Sequence, residues 1–229
     1  MTARNEDGVL VKTPYKKQQF TEQELQEFMK CADPDTGPEY FLRNFFFIQH
    51  PVQGKIQYDP WEFQERLIKT YHNYRFSISM MPRQTGKSTS AAGYLLWFAM
   101  FKPDSTILVA AHKYAGAQEI MQRVRYSYEA CPDHIRAGAT SYNKGSIEFD
   151  NGSRIVAQTT TENTGRGMSI TLLYCDEFAF VRPTIAKEFW TSISPTLSTG
   201  GGAIITSTPN SDEDQFAFIW KGANKTEDE

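Results

Sequence analysis

The sequence predicts an α/β fold in which helices flank a mainly parallel central sheet. Thr106–Ala111 is an apolar run without alternation, as a strand buried on both faces requires. It is separated from an earlier strand, Ser77–Met81, by one helix-length segment, Ser90–Phe101, that is apolar on nearly every side. Strand, helix, strand in that order is the βαβ unit of a parallel sheet. The pattern changes once, where Ser146–Asp150 and Ser153–Ala157 alternate around Asn151 and Gly152. That segment predicts an antiparallel β-hairpin over about 146–158.

The remaining elements follow in order. Residues 1–20 are polar and aperiodic, and read as a loose arm. Thr21-Glu-Gln-Glu24 is a capping box that opens a helix with Leu25, Phe28 and Met29 on one face, and Asp33–Pro38 stops it. Residues 40–48 are an aromatic-rich core run that fits strand and helix equally. Asp59 reads as the N-cap of a second helix, with Pro60 in its first turn, Glu62 bonding back, and Phe63, Leu67, Ile68 and Tyr71 facing inward. Tyr114–Ala130 is a helix closed by Pro132. Ile170–Cys175 is a strand, Pro183–Leu197 a helix, Gly200–Gly202 a turn and Ala203–Thr206 a strand. The expected organisation is an arm and capping helix over 1–40, one core over 41–220, and a tail or truncation point over 221–229.

With 229 residues, 40% hydrophobic and 14% aromatic, the chain can bury one sizeable core. A formal net charge of −3 supplies no global basic field, so contact with nucleic acid has to be local or come from other chains. Cys31, Cys131 and Cys175 are odd in number and lack metal-like spacing, which predicts buried thiols in a reducing compartment. No stretch reaches the ~20 apolar residues of a membrane span, and no signal-peptide pattern is present. A cytosolic protein is expected.

The chemistry concentrates where the strand Ser77–Met81 runs through Pro82 and the loop residues Arg83, Gln84, Thr85 and Gly86 into Lys87, Ser88 and Thr89. A tight loop before a helix gathers backbone N–H groups and the positive end of the helix dipole on one point, which is how a phosphate is cradled. In the pattern G-x-x-x-x-G-K-[ST] the lysine reaches the β- and γ-phosphates and the hydroxyl ligates Mg²⁺, roles that fall to Lys87 and Ser88. Met81 stands where that pattern begins with Gly. A second constellation closes the strand Ile170–Cys175 with Asp176 and Glu177. There the first carboxylate can hold the metal through water and the second can polarise the attacking water. Thr206, Ser207 and Thr208 end a further strand, and hydroxyls at such an edge face the γ-phosphate or that water. Two residues keep two readings. Gln64, next to Phe63, is a solvated helix residue or a reader of the adenine N6/N7 edge, because an amide offers one donor end and one acceptor end. Arg166, between two glycines of a polar loop, is a solvated charge or a functional one.

Together these residues resemble the ATPase part of the large terminase subunits of tailed bacteriophages, most of all the T4-like group. The resemblance spans roughly residues 45–220. It rests on His50-Pro51-Val52, Phe63-Gln64, Arg83-Gln-Thr-Gly-Lys-Ser88, Asn143-Lys-Gly-Ser-Ile-Glu148 with Asp150-Asn-Gly-Ser153, Arg166-Gly167, Cys175-Asp-Glu-Phe-Ala179 and Thr206-Ser-Thr-Pro-Asn210. A phosphate loop without the first Gly is typical of that family. The resemblance implies a P-loop NTPase of the RecA-like (ASCE) type, hydrolysing ATP with Mg²⁺ to drive double-stranded DNA into a procapsid. The implied partners are a portal protein, a small terminase subunit and further copies in a ring, in the host cytoplasm and with no membrane. Residue by residue it implies that Phe63 and Gln64 contact adenine, and that Arg83, Gln84, Thr85, Gly86, Lys87, Ser88 and Thr89 form the phosphate loop, with Arg83 as a basic finger. It further implies Asp176 and Ser88 on the metal, Glu177 as catalytic base, Thr206–Thr208 as coupling motif, and Arg166 offered to a neighbouring subunit's ATP. The strand 203–208 should lie between the strands 76–81 and 171–175, all three parallel. Large terminases carry a nuclease domain further on. No such length follows Pro209 here, so an N-terminal portion without nuclease activity is expected. The alternatives are a helicase-like DNA-dependent ATPase, and a nucleotide-binding module inactive without its missing C-terminal parts.

Overall fold

Alternation along the central strands decides how the layers stack. Along β4 (Thr106–Ala111), Ile107, Val109 and Ala111 pack into one hydrophobic cluster while Leu108 and Ala110 pack into another. β8 (Leu172–Asp176) divides in the same way, Leu172 and Tyr174 against Leu173 and Cys175. Both faces are therefore dry, and the uninterrupted apolar runs follow from that. The structure, a computed structural model, describes residues 10–225.

The element order is α1 (Glu22–Ala32), α2 (Gly37–Phe45), β1 (Phe47–His50), β2 (Gly54–Gln57), α3 (Glu62–Asn73), β3 (Phe76–Met80), α4 (Lys87–Phe101), β4, α5 (Tyr114–Ala130), β5 (Ala139–Tyr142), β6 (Ser146–Phe149), β7 (Arg154–Thr159), β8, a 3₁₀ turn (Phe178–Phe180), α6 (Pro183–Leu197), β9 (Gly202–Ser207) and α7 (Gln215–Ala223). A seven-stranded sheet runs β3-β9-β8-β4-β7-β6-β5. β9 lies between β3 and β8, parallel to both, as the family resemblance implied. Helices α3, α4 and α5 cover one face, and α6 and α7 the other. α4 is buried on almost every side, Trp97 completely. Each such aromatic or aliphatic side chain contributes about 2 kcal/mol through burial.

The hairpin forms as β6 and β7, antiparallel, with Asp150 and Ser153 drawn into the turn rather than the strands. Asn151 caps the end of α4, its amide donating to the carbonyls of Ala99 and Met100 (2.9 and 3.1 Å). β7 also pairs in parallel with β4, which joins the hairpin to the main sheet, and β5 adds a strand that the sequence did not announce. Its four residues, Ala-Thr-Ser-Tyr, carry no hydrophobic period.

Five expectations need correction or completion. The ambiguous run 40–48 divides into the end of α2 and the start of β1. The Asp33–Pro38 stop also starts α2, with Gly37 and Pro38 in its first turn. α1 has its capping box, Thr21 and Glu24 bonding to each other's backbone N–H, but Leu25 and Met29 are exposed and only Phe28 of the three packs on the core. α3 starts two residues later than Asp59 implies: Asp59 is exposed beside Arg43, and Gln64, not Glu62, bonds back to the N-cap, Trp61. The arm is docked from residue 10 on, residues 1–9 lying outside the described residues. The Arg136 guanidinium, fully buried on Asp133 (2.7 Å), donates to the carbonyl of Leu10 (3.0 Å), and the Lys12 ammonium donates to the carbonyls of Asp133 and Arg136. The three cysteines are buried free thiols, and no helix among the described residues is long and apolar enough to cross a membrane.

Removing one member of a buried ion pair leaves the other uncompensated. Arg136→Leu should therefore cost about 3 kcal/mol, read as a lower urea midpoint with an unchanged slope. Lys16→Ala, which removes the half-exposed second cation near Asp133, should cost under about 1 kcal/mol. Equal losses would sink the view that Arg136 anchors the docked arm.

Candidate active site

Four features of the loop after β3 fit it to hold an anion. Met81 N–H donates to the carbonyl of Ser207 (3.0 Å), which continues the β3–β9 ladder up to the loop. Gln84 and Gly86 then both take left-handed backbone (φ 62° and 75°), curling the chain over the start of α4. A Cβ at Gly86 would press on the Gln64 amide nitrogen, so only glycine fits there. α4 begins without a side-chain cap or an acid in its first turn, and its first internal bond runs from Ser90 N–H to the Gly86 carbonyl. The N–H groups of Lys87, Ser88 and Thr89 thus have no intrahelical acceptor and are open to an anion.

Across the loop stands Glu177. β8 delivers Asp176 at its last position, and the chain then turns through a left-handed Glu177 (φ 50°) into the 3₁₀ turn. That turn brings Glu177 Oε1 to 2.6 Å from the Lys87 ammonium, which is itself 7% exposed. The other carboxylate oxygen accepts from Thr208 N–H (3.1 Å), Thr208 Oγ1 (3.0 Å) and Ser207 Oγ (3.4 Å). Burial works to raise the Glu177 carboxyl, but the Lys87 bond and charge together with the Thr208 donors outweigh it and hold the group below the usual glutamate value. Asp176 goes the other way: burial first, then the neighbouring Glu177 charge, push it up against the opposing effects of Tyr174, Lys87 and Thr206. Adjacent carboxyls driven apart by their surroundings are suited to different tasks.

Ser88 Oγ lies 3.3 and 3.4 Å from the two oxygens of Asp176. A hydroxyl and a carboxylate side by side are hard oxygen donors, the set that suits Mg²⁺ beside a polyphosphate. The residues present fit both groups.

Gln64 is not solvated. It is 8% exposed, its amide donating to the Thr85 carbonyl (2.9 Å) and accepting from Trp61 N–H (3.0 Å). Both ends of the amide are thus engaged on the protein. Phe63 is half-buried against the exposed ring of Trp61. Arg83 and Gln84 are exposed on the loop, and Thr85 Oγ1 closes it by donating to the Pro82 carbonyl (2.9 Å). Arg166 is not brought to this cluster: it is exposed, with Nε 3.4 Å from Ser192 Oγ on α6. Gly165, in left-handed backbone with Ile193 against its Cα, allows that close approach.

Sequence reasoning missed three groups. Tyr174 donates to Asp176 (3.1 Å), Ser90 joins the Tyr58 hydroxyl (2.6 Å) to the Gly86 carbonyl, and Asn210 donates to the Ala179 carbonyl (3.2 Å). A tyrosine two residues before the acid, on the same side of an otherwise apolar strand, was the available signal for the first.

Solved structures with a similar fold include large terminases of bacteriophages. The ATPase domain of the large terminase of Thermus phage P74-26 is 21% identical and superimposes with a TM-score of 0.56 over 71% of this chain and 69% of that one. The HK97 bacteriophage large terminase is 19% identical, with a TM-score of 0.65 over 80% of this chain and 40% of that one. The large terminase of the thermophilic bacteriophage D6E, in complex with ADP, is 11% identical, with a TM-score of 0.57 over 71% and 42%. At these identities the likeness shows a shared fold. The sequence family described as terminase large subunit, T4likevirus-type, N-terminal, matches residues 78–229, well over half of the chain. The match takes in β3 from Ile78 and the loop after it, the Asp176-Glu177 strand end and the Thr206–Thr208 edge, and by it the chain belongs to the T4-like large terminase subunits.

Proposed function

We propose that this chain is the ATP-hydrolysing part of a viral DNA-packaging motor, binding ATP with Mg²⁺ and driving double-stranded DNA into a procapsid. The observation that carries the reading is the meeting of Lys87, Glu177, Ser88 and Asp176 at the mouth of a curled loop. The Lys87 ammonium and the free N–H groups at the start of α4 bind the polyphosphate. Ser88 and Asp176 hold Mg²⁺, which neutralises charge on the phosphate oxygens when bound. Glu177 orients the attacking water and takes its proton. Lys87 is shared between the Glu177 carboxylate and the phosphates, so the ammonium has to swing before Glu177 is free to act. Thr208 stays on Glu177 and relays that change to β9, which gives the coupling role of Thr206–Thr208 a physical form.

Phe63 and Trp61 offer a ring surface for adenine. Gln64 acts on the base with whatever bonding capacity the loop leaves it. Arg83 serves its own nucleotide, and Arg166, on the outer side near α6, serves a neighbour's site in a ring of copies on the portal. DNA, portal, small subunit and host cytoplasm are proposed from the family, as is the division into arm, core and tail.

Glu177→Gln keeps the shape of the side chain and removes the carboxylate's hold on Lys87. ATP affinity should be unchanged or higher, while turnover in a competent assembly falls ~10²-fold or more. Lys87→Ala should weaken nucleotide binding itself. Wild-type turnover by Glu177→Gln would refute the base assignment.

The two arginines should separate in mixed assemblies. Arg166→Ala subunits mixed with Glu177→Gln subunits recover activity at hybrid interfaces, where an intact site meets an intact finger. Arg83→Ala mixed with Glu177→Gln does not, because both changes disable a site from within. Equal rescue in both mixtures, or none in the first although mixed rings form, removes the trans role from Arg166.

A further inference from the structure

Beneath Asp176 lies a closed group of three buried oxygens. Tyr174 Oη is 3.1 Å from Asp176 Oδ1, Thr206 Oγ1 is 3.1 Å from the same oxygen, and the two hydroxyls are 3.0 Å apart. Tyr174 and Thr206 are fully buried, and Asp176 is 8% exposed. The sheet builds this arrangement. Tyr174 and Asp176 are two residues apart on β8 and share a face, and Asp176 is in register with Thr206 of β9. A carboxylate oxygen has room for about two donors in its plane. Tyr174 and Thr206 crowd Oδ1 from below, and Ser88 approaches from the loop side, within 3.3 Å of Oδ1 and 3.4 Å of Oδ2.

We propose that Tyr174 is a positioning residue for the divalent cation: with Thr206 it occupies Oδ1 of Asp176 and so leaves Oδ2, which neither of them touches, as the oxygen open to a cation held together with Ser88. This rests on the reading of the site as a Mg²⁺-nucleotide site, and deepens it. Outer hydrogen-bond partners of metal-side carboxylates set metal affinity by orientation, and their loss typically costs 10- to 100-fold. The molecule contains its own control. Tyr71, on α3, is also buried and near enough for the Asp176 charge to add to burial in raising its hydroxyl, yet that hydroxyl has no hydrogen-bond partner among the described residues.

The test is binding of a fluorescently labelled ATP to the purified chain, titrated with MgCl₂ and repeated in EDTA. Tyr174→Phe keeps the ring and removes the hydroxyl. It should need about 10-fold more Mg²⁺ for half-maximal tight binding, with affinity in EDTA unchanged. Tyr71→Phe should match wild type in both conditions. Thr206→Val should shift the Mg²⁺ requirement in the same direction, and the double variant Tyr174→Phe with Thr206→Val by less than the product of the two, since both donors serve one oxygen. An unshifted Mg²⁺ requirement in Tyr174→Phe overturns the inference while leaving the site reading intact. So does a matching loss in EDTA, which marks general disturbance, or an equal shift in Tyr71→Phe. Nucleotide binding by wild type with no Mg²⁺ dependence overturns the metal assignment itself and this inference with it.

Discussion

The ion pair between Lys87 and Glu177 sets the terms for the rest of the site. Its 2.6 Å contact joins a nearly buried ammonium to a carboxylate one quarter exposed, and the two come from the beginning of α4 and the end of β8. A buried cation without a partner costs several kcal/mol, whereas a paired one only about breaks even. The pair is therefore a positioning device more than a source of stability. It requires the C-terminal ends of β3, β9 and β8 to lie level, because Lys87 opens α4 just past the loop after β3, and Thr208 and Glu177 directly follow β9 and β8. A polyphosphate, with more negative charge than one carboxylate, can take over the ammonium without further desolvating it.

Register is what keeps those ends level. Met80 pairs with Ser207, Asp176 with Thr206, and Asp176 also lies opposite Ala111 of β4. A slip of one residue in β9 would turn Thr206 to the opposite face and take both its bond to Asp176 and its contact with Tyr174 away. The apolar alternation prevents this. Ile204 belongs to the cluster under α4 and α5, and Ala203 and Ile205 to the one under α6 and α7, so a slip would leave both clusters wrongly filled.

The same reasoning separates what could be read from the sequence from what could not. The apolar strands, the curled loop before α4 and the strand end at Asp176 were legible because each is a local pattern with one physical cause. The position of β9 came from the resemblance, not from local pattern. β5 was illegible because its four residues, Ala-Thr-Ser-Tyr, carry no hydrophobic period. The start of α3 was misread because Asp59 and Pro60 make a plausible cap, while the chain instead uses Gln64 to bind Trp61 and Thr85 together, a contact set by the distant loop. The docked arm escaped notice because its anchors, Asp133 and Arg136, lie more than 120 residues away. Side-chain roles that depend on such long-range meetings leave no mark on spacing.

The opposed shifts of the two adjacent acids follow from which partners reach them. Asp176 is enclosed by hydroxyls that only partly offset its burial and the neighbouring Glu177 charge, so its carboxyl is pushed up. Glu177 is held low by Lys87, and while it stays paired it is a poor proton acceptor. Any anion that draws Lys87 away removes both a charged donor and a neighbouring positive charge, and the proton affinity of Glu177 rises. The two Thr208 donors remain and keep the carboxylate aimed. The geometry thus makes the proton affinity of Glu177 depend on what Lys87 is holding, so that a change of partner at the start of α4 is felt at the end of β8.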